Sequence, residues 1–278
     1  MLKAFFRTLF LIIFLFAENN IVQEIKLKGL ITNPKQEISG MDWFNDKLFF
    51  LPENLGGYLF MSTKNEIHEQ ITSKKGYLEP KKTIFNTPDY SKSILGFDGF
   101  EAITFNGNEV YVTIEAEQNG MMVGFLAWGR IDPNSYEITI LNEDICRIET
   151  PIQIDNLSFE SLINHKKRML LLYEANGSNL RKDPYQLSIS TDDCSLEKIK
   201  APNIEYRITD ATKVESNKFW AINYYWPGDK KSLKPGMDKL NENKDIDDNQ
   251  TIERLVEFEI KKNQISLTNK EPVKLFLE

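Results

Sequence analysis

The chain is poor in the residues that most often announce chemistry. Its 278 residues include only two histidines and two cysteines. The spacing of Cys146 and Cys194 matches no zinc pattern. In an oxidising compartment the two thiols could pair; two unpaired buried thiols are the other reading, and the sequence leaves both open. His165 falls in a predicted hairpin turn, where exposure is the default, so a catalytic role for it is not expected. No Gly-x-Ser-x-Gly elbow, His-Glu-x-x-His helix or phosphate loop is present, and a serine–histidine hydrolase is therefore not supported. Positive charge is also short. The formal net charge is -7 and the lysines are scattered, which argues against nucleic acid as a partner.

Long apolar runs are absent too. Thr8–Phe16 is too short for an ordinary transmembrane helix, and no other segment could span a bilayer. With Lys3 and Arg7 before it and Ala17 after it, the run reads as an export signal. Leu15 is a poor residue three places before a cleavage at Ala17, and a retained N-terminal anchor is the alternative. The expectation is a signal peptide over 1–17, a single domain over 18–278 and a periplasmic or secreted protein.

Repetition is the strongest positive signal. Four stretches, beginning near Glu37, Gly99, Ser158 and Ile208, share one pattern. Each opens on a polar residue (Ser39, Glu101, Glu160, Asp210) followed by a small one (Gly40, Ala102, Ser161, Ala211). A short apolar run, a polar turn and a second apolar run follow. The second run ends on Glu53, Glu115, Glu174 or Asn223. Two short β runs joined by a tight polar turn make a hairpin. The opening and closing residues of each hairpin are then neighbours on one rim. Further β-like runs lie between the copies, such as Met122–Ile131 with Tyr136–Leu141 and Tyr185–Ile189 with Leu196–Ile199. Two inner and two outer strands per copy make the blade of a propeller. The fold class expected is all-β, a β-propeller of five or six four-stranded blades. The chain stops after Pro272–Leu277, where another acidic hairpin is expected. Either Ile21–Leu27 helps to close the ring or a final blade is lacking. Trp226–Gln250 reads as a polar surface loop.

The runs Phe97-Asp-Gly-Phe-Glu-Ala-Ile-Thr-Phe, Asp155-Asn-Leu-Ser-Phe-Glu-Ser-Leu and Thr209-Asp-Ala-Thr with Lys218-Phe-Trp-Ala-Ile-Asn resemble the phytase-like (esterase-like) β-propeller family. The resemblance covers most of Ile21–Leu277. It implies an extracytoplasmic propeller, often with a bound divalent cation. It implies no particular reaction.

Carboxylates crowded on one rim repel one another and raise each other's pKa. A shared proton, a basic partner or a bound cation relieves this. Hard cations such as Ca2+ take several oxygen ligands. Glu101, Glu160, Asp210, Glu174, Glu115 and Glu53 are the expected ligands for Ca2+ or another divalent cation. Asn223, Tyr225 and Trp226 are the candidates for holding a small-molecule or anionic ester substrate. Ser39 and Asn223 are the weak members of the ring. The plainer reading is that polar residues at strand ends satisfy loop backbone groups. Arg130, Arg168 and Arg207 could pair with the rim acids, although ordinary strand-end charges are the commoner case. Trp43 and Trp220 read mostly as core. Asp245–Asn249 looks like a calcium loop but lacks its Gly and Glu, so a solvated loop is expected. Three functions remain: a metal-assisted phosphoester or ester hydrolase, a non-catalytic binding propeller and a structural one.

Overall fold

A computed structural model describes residues 22–53, 57–73, 76–241 and 250–275. The export signal and the calcium-like stretch Asp245–Asn249 lie outside these residues. The described chain is built on strands, in four successive four-stranded antiparallel meanders. The first unit comprises β1 (Ile38–Phe44), β2 (Lys47–Pro52), β3 (Gly57–Thr63) and β4 (Lys81–Asn86). The second comprises β5 (Phe97–Asn106), β6 (Glu109–Gln118), β7 (Met121–Ile131) and β8 (Ile138–Glu149). The third comprises β9 (Ser161–His165), β10 (Arg168–Leu172), β11 (Tyr185–Ile189) and β12 (Leu196–Lys200). The fourth comprises β13 (Arg207–Ala211), β14 (Lys218–Tyr225), β15 (Ile252–Lys261) and β16 (Gln264–Leu267). Four units are present among the described residues, not the five or six expected.

Local chemistry explains the hairpins. In the third and fourth units the tight turn falls on Lys166-Lys167 and Ser216-Asn217, and all four residues have positive φ. That conformation matches the twist of paired strands. Alternation buries one face of β14, where Phe219, Ala221 and Tyr225 face inward, while β6 and β10 are buried on both faces.

First strands sit innermost. β1 packs beside β5, β5 beside β9, and β9 beside β13. The small residue after each rim position makes this approach possible. A Cβ on Gly40 would stand 3.0 Å from the Ala102 Cα and 3.1 Å from the Ile103 nitrogen. At the outside, β4 pairs in parallel with β8, and β12 with β16. Apolar clusters fill the space between successive units. This is the blade arrangement of a propeller.

Three segments differ from expectation. Val22–Leu27 is not a strand; among the described residues its one ladder contact is an isolated bridge from Leu27 to Leu78. Lys64–Ser73 is a helix with no buried residue. A capping box starts it: the Thr63 nitrogen donates to Glu66 Oε2 at 2.8 Å, and the Glu66 nitrogen to Thr63 Oγ1 at 3.1 Å. The tail forms β17 (Val273–Lys274), which pairs with β15. No helix among the described residues is long and apolar enough to cross a membrane.

Cys146 and Cys194 form a disulfide across 48 residues, with Cα atoms 5.7 Å apart. It ties β8 of the second unit to the turn between β11 and β12 of the third. Closing a loop of this length removes unfolded-state freedom. The Cys146→Ala/Cys194→Ala protein is expected to lose about 2–4 kcal/mol of stability. Urea unfolding of the parent and the double variant measures the loss, and superimposable curves would contradict it.

Candidate functional site

The first strands deliver their acids to a common centre through irregular pairing. In the first two units the strand register slips at Ser39 and at Glu101. A bulge of this kind re-aims a side chain. In the fourth unit the slip falls one residue earlier, at Thr209, and both Thr209 and Asp210 reach the centre. Glu160 lies just before β9. In the first and third repeats the closing residue binds the next unit through its backbone. The Glu53 carbonyl accepts from the Phe100 nitrogen at 3.1 Å, and the Glu174 carbonyl from the Ile208 nitrogen at 3.2 Å.

Glu53, Glu101, Glu160 and Asp210 line one cavity of about 320 Å³. A Cβ on Gly99 would meet the Glu53 Cγ at 2.5 Å, so only glycine lets that side chain pass. Glu115 and Glu174 are buried beside the cavity, and Glu174 is fully enclosed.

One arginine sits among these acids. Arg207 donates to Glu160 Oε1 at 2.5 Å and to Glu174 Oε2 at 2.6 Å, and its third nitrogen stands 3.8 Å from Asp229. Glu174 also accepts from the Ser158 nitrogen at 2.7 Å. Burial opposes the arginine's charge, but Glu174 and Glu160 outweigh it and hold the guanidinium more firmly protonated than usual. Burial raises both glutamates, against the pull of Arg207.

Three further acids, Glu101, Glu115 and Asp210, are also shifted upward. Burial, then repulsion from Glu160, Glu115, Glu53 and Asp98, lifts Glu101 well above the carboxylate range. Burial foremost pushes Glu115 up to about 7 and Asp210 up to about 8. At neutral pH the site therefore holds one permanent cation and several carboxyls poised to release protons. Such perturbed groups in a concave site make this the candidate functional centre.

No protein-family model matches the chain, and no curated protein matches it either. Solved structures do. The chain is similar to the GH43 endo-arabinanase from Bacillus licheniformis, with a TM-score of 0.47, 10% identity and coverage of 84% of this chain and 74% of that one. It is similar to the GH32 beta-fructofuranosidase BmSUC1 of Bombyx mori, with a TM-score of 0.47 and 12% identity over 83% of this chain and 50% of that one. The Synechocystis apocarotenoid oxygenase gives 0.39 and 10% over 83% and 47%.

Asn223, Tyr225 and Trp226 lie apart from the cavity, whereas Ser39 lines it. Asn223 is fully buried, and its amide donates to the carbonyls of Glu205 at 2.9 Å and Arg207 at 3.1 Å. Its oxygen accepts from Arg254, which is held in turn by Asp238 at 2.7 and 2.9 Å. Asn223 thus positions the Arg207 backbone. Tyr225 is core, with its ring 4.6 Å from that of Tyr206. Trp226 is 55% exposed and packs over Gly228. Ser39 donates to the Phe100 carbonyl at 2.5 Å.

Arg207, Asp229 and Asp42 carry more of the site than their sequence context suggests. Asp42 accepts from Thr104, from the Phe105 nitrogen and from the Trp43 nitrogen, and lies 3.2 Å from Lys213. Asp229 comes from the polar excursion after β14, which includes the short helix Lys230–Leu233. Its acid stands next to a buried arginine, so part of that excursion is structural. Trp43 and Trp220, read as core, are instead partly exposed.

A bound cation is the remaining device for relieving this repulsion. The donor chemistry suits a hard ion: the cavity acids are all carboxylates. Among the described residues no group of three or more acids, histidines or cysteines stands at metal-holding spacing. Glu160 and Glu174 are already engaged by Arg207. A cation would therefore need Glu101 and Asp210 to give up protons and their side chains to converge.

Proposed function

We propose that the protein is an exported, phytase-like propeller whose central acidic cavity takes a hard divalent cation, Ca2+ foremost. The observation that carries this reading is Glu101. Its carboxyl is buried on the cavity wall, and the strongest charges acting on it are those of other carboxylates. The resemblance of the Phe97–Phe105 and Asp155–Leu162 runs to the phytase-like family supports it. The Cys146–Cys194 bridge supports an oxidising compartment and hence export.

A cation held there would polarise a phosphoester or ester oxygen and lower the pKa of water. The chain's own part is to supply carboxylate oxygens from Glu53, Glu101 and Asp210 and to fix Glu160 with Arg207. Thermal unfolding in EDTA and then in Ca2+, Mg2+ or Mn2+ tests the reading. A ligand of the folded state alone raises stability by RT ln(1 + [L]/Kd), about 2.7 kcal/mol at a hundredfold excess over Kd. A rise with one cation, abolished by Glu101→Gln with Asp210→Asn, is the expected result and justifies a screen of phosphoesters and esters with that ion. No shift with any cation would sink the metal-assisted reading. Non-catalytic ligand binding is the second reading, favoured by an open cleft beside the cavity.

A further inference from the structure

Backbone pairing divides the ring into two halves. β4 pairs with β8, so the first and second units share one sheet; β12 pairs with β16, so the third and fourth share another. Among the described residues no ladder crosses from one sheet to the other. Each half is also tied near the centre, the Phe100 nitrogen donating to the Glu53 carbonyl and the Ile208 nitrogen to the Glu174 carbonyl.

The halves meet at two unlike junctions. Between the second and third units, Leu126, Phe159 and Tyr173 share an apolar cluster. The Thr113 hydroxyl donates to the Phe159 carbonyl at 2.9 Å, and the Cys146–Cys194 bridge staples the same junction. Between the fourth and first units no apolar cluster forms among the described residues. A cleft of about 870 Å³ stands there instead. Two bodies packed together on one side and open on the other have a hinge opposite a mouth.

Lys213 crosses that mouth. Its ammonium donates to the Trp43 carbonyl at 2.6 Å and stands 3.2 Å from Asp42. Both ends are firmly mounted. Asp42 is bound to the second unit as well as the first, because it accepts from the Thr104 hydroxyl at 2.9 Å and the Phe105 nitrogen at 2.8 Å. Thr212, next to Lys213, is clamped to β14: its nitrogen donates to the Trp220 carbonyl at 2.8 Å, and its hydroxyl accepts from the Trp220 nitrogen at 3.0 Å.

The acidic cavity lies on the dividing line. Glu53 and Glu101 come from one half, Glu160 and Asp210 from the other. Met41, Asp210 and Ile222 line both the cavity and the cleft. The width of the seam therefore sets the spacing between the two pairs of carboxyls.

We infer that Lys213 is a positioning residue, a latch across the seam that holds the two half-rings at the spacing the cavity acids need. Its effect on cation affinity rests on the divalent-cation reading; the latch itself does not.

Lys213→Met removes the ammonium and keeps most of the volume. The lysine side chain is 41% exposed, and Asp42 retains its hydrogen bonds from Thr104, Phe105 and Trp43, so the fold should survive. Hydrogen exchange read by mass spectrometry in EDTA tests the latch. In Lys213→Met, exchange over Ile38–Phe44 and Arg207–Ala211, which flank the seam, should speed about tenfold or more. Over Phe97–Asn106 and Ser161–His165, at the hinge, it should stay at the parent's rate. Lys213→Arg should restore the parent's pattern. Lys218→Met, which removes an ion pair inside the fourth unit, should leave all four segments unchanged. If the methionine protein does not fold, Lys213→Gln takes its place with the same expectation. Acceleration spread evenly over the four segments, or none at the seam, would overturn the inference. Titration of the same proteins with CaCl2 completes the test. Lys213→Met should bind Ca2+ several-fold more weakly than the parent and Lys213→Arg about as tightly; equal affinity of Lys213→Met and the parent would also overturn the inference. A parent that binds no Ca2+ would sink the divalent-cation reading alone, and the exchange pattern would still decide the latch.

Discussion

Exchange of Arg207 for methionine is expected to lower folding stability at neutral pH by about 3–5 kcal/mol, the usual result of removing one member of a buried ion group. The reason is local. The guanidinium lies between Glu160, which is largely buried, and Glu174, which is fully removed from water. Methionine fills much of the same space, so the loss reports charge and hydrogen bonding more than packing. Arg207→Lys should recover only part of it, because an ammonium cannot hold two carboxylates as the planar fork does. Adding Glu160→Gln and Glu174→Gln to Arg207→Met should restore much of the stability, since no unpaired buried charge then remains. Chemical denaturation of the set measures this. A loss below about 1 kcal/mol for Arg207→Met would place the arginine among ordinary exposed pairs.

Stability should also fall as pH rises above about 5. Glu101, Glu115 and Asp210 all have folded-state pKa values raised above their unfolded ones. Between the two values the folded state holds protons that the unfolded state has released. Their contribution is fully present below the unfolded pKa, near 4, and is lost as pH rises through the folded one. For Glu115 that is about 7, and for Asp210 about 8. Each proton held only by the folded state tilts stability by about 1.4 kcal/mol per pH unit. Denaturation in EDTA at pH 5, 7 and 8.5 should show this decline. The Glu101→Gln/Asp210→Asn protein should show a shallower one and should exceed the parent at pH 8.5. A parent that gains stability from pH 5 to pH 8.5 would show that these carboxyls ionise freely.

Much of the rim was legible because its signal is local and repeated. The separation of 14 residues between Glu101 and Glu115, and between Glu160 and Glu174, reflects a hairpin with both ends at the centre. The structure brings those four acids together with Glu53 and Asp210. The small residue after each rim acid was visible too, and its cause is the close backbone approach at Gly40 and Ala102. Arg207 was harder. A single arginine at a strand end looks the same whether it meets water or two buried glutamates, and only the third and fourth units together decide it. Asp229 was hidden for a related reason, since it arrives from a polar excursion that reads as solvated. Asn223 closes its repeat as the rim acids close theirs, but as an amide it has both donors and an acceptor, and the backbone and Arg254 take them. The open cleft beside the cavity, lined by Trp43 and Trp220, left no local trace at all, because both occupy strand positions that look like core in each repeat taken alone.

The most direct test of the central claim is calorimetric titration of the protein with CaCl2 at pH 6.5, run in two buffers of different ionisation enthalpy. If the cavity acids are both proton-loaded and the cation site, ligation must expel protons. The predicted result is release of about one proton or more per ion bound, falling toward zero in the Glu101→Gln/Asp210→Asn protein along with the binding itself. Heats that are the same in both buffers, or no binding of Ca2+ at all, would contradict the account.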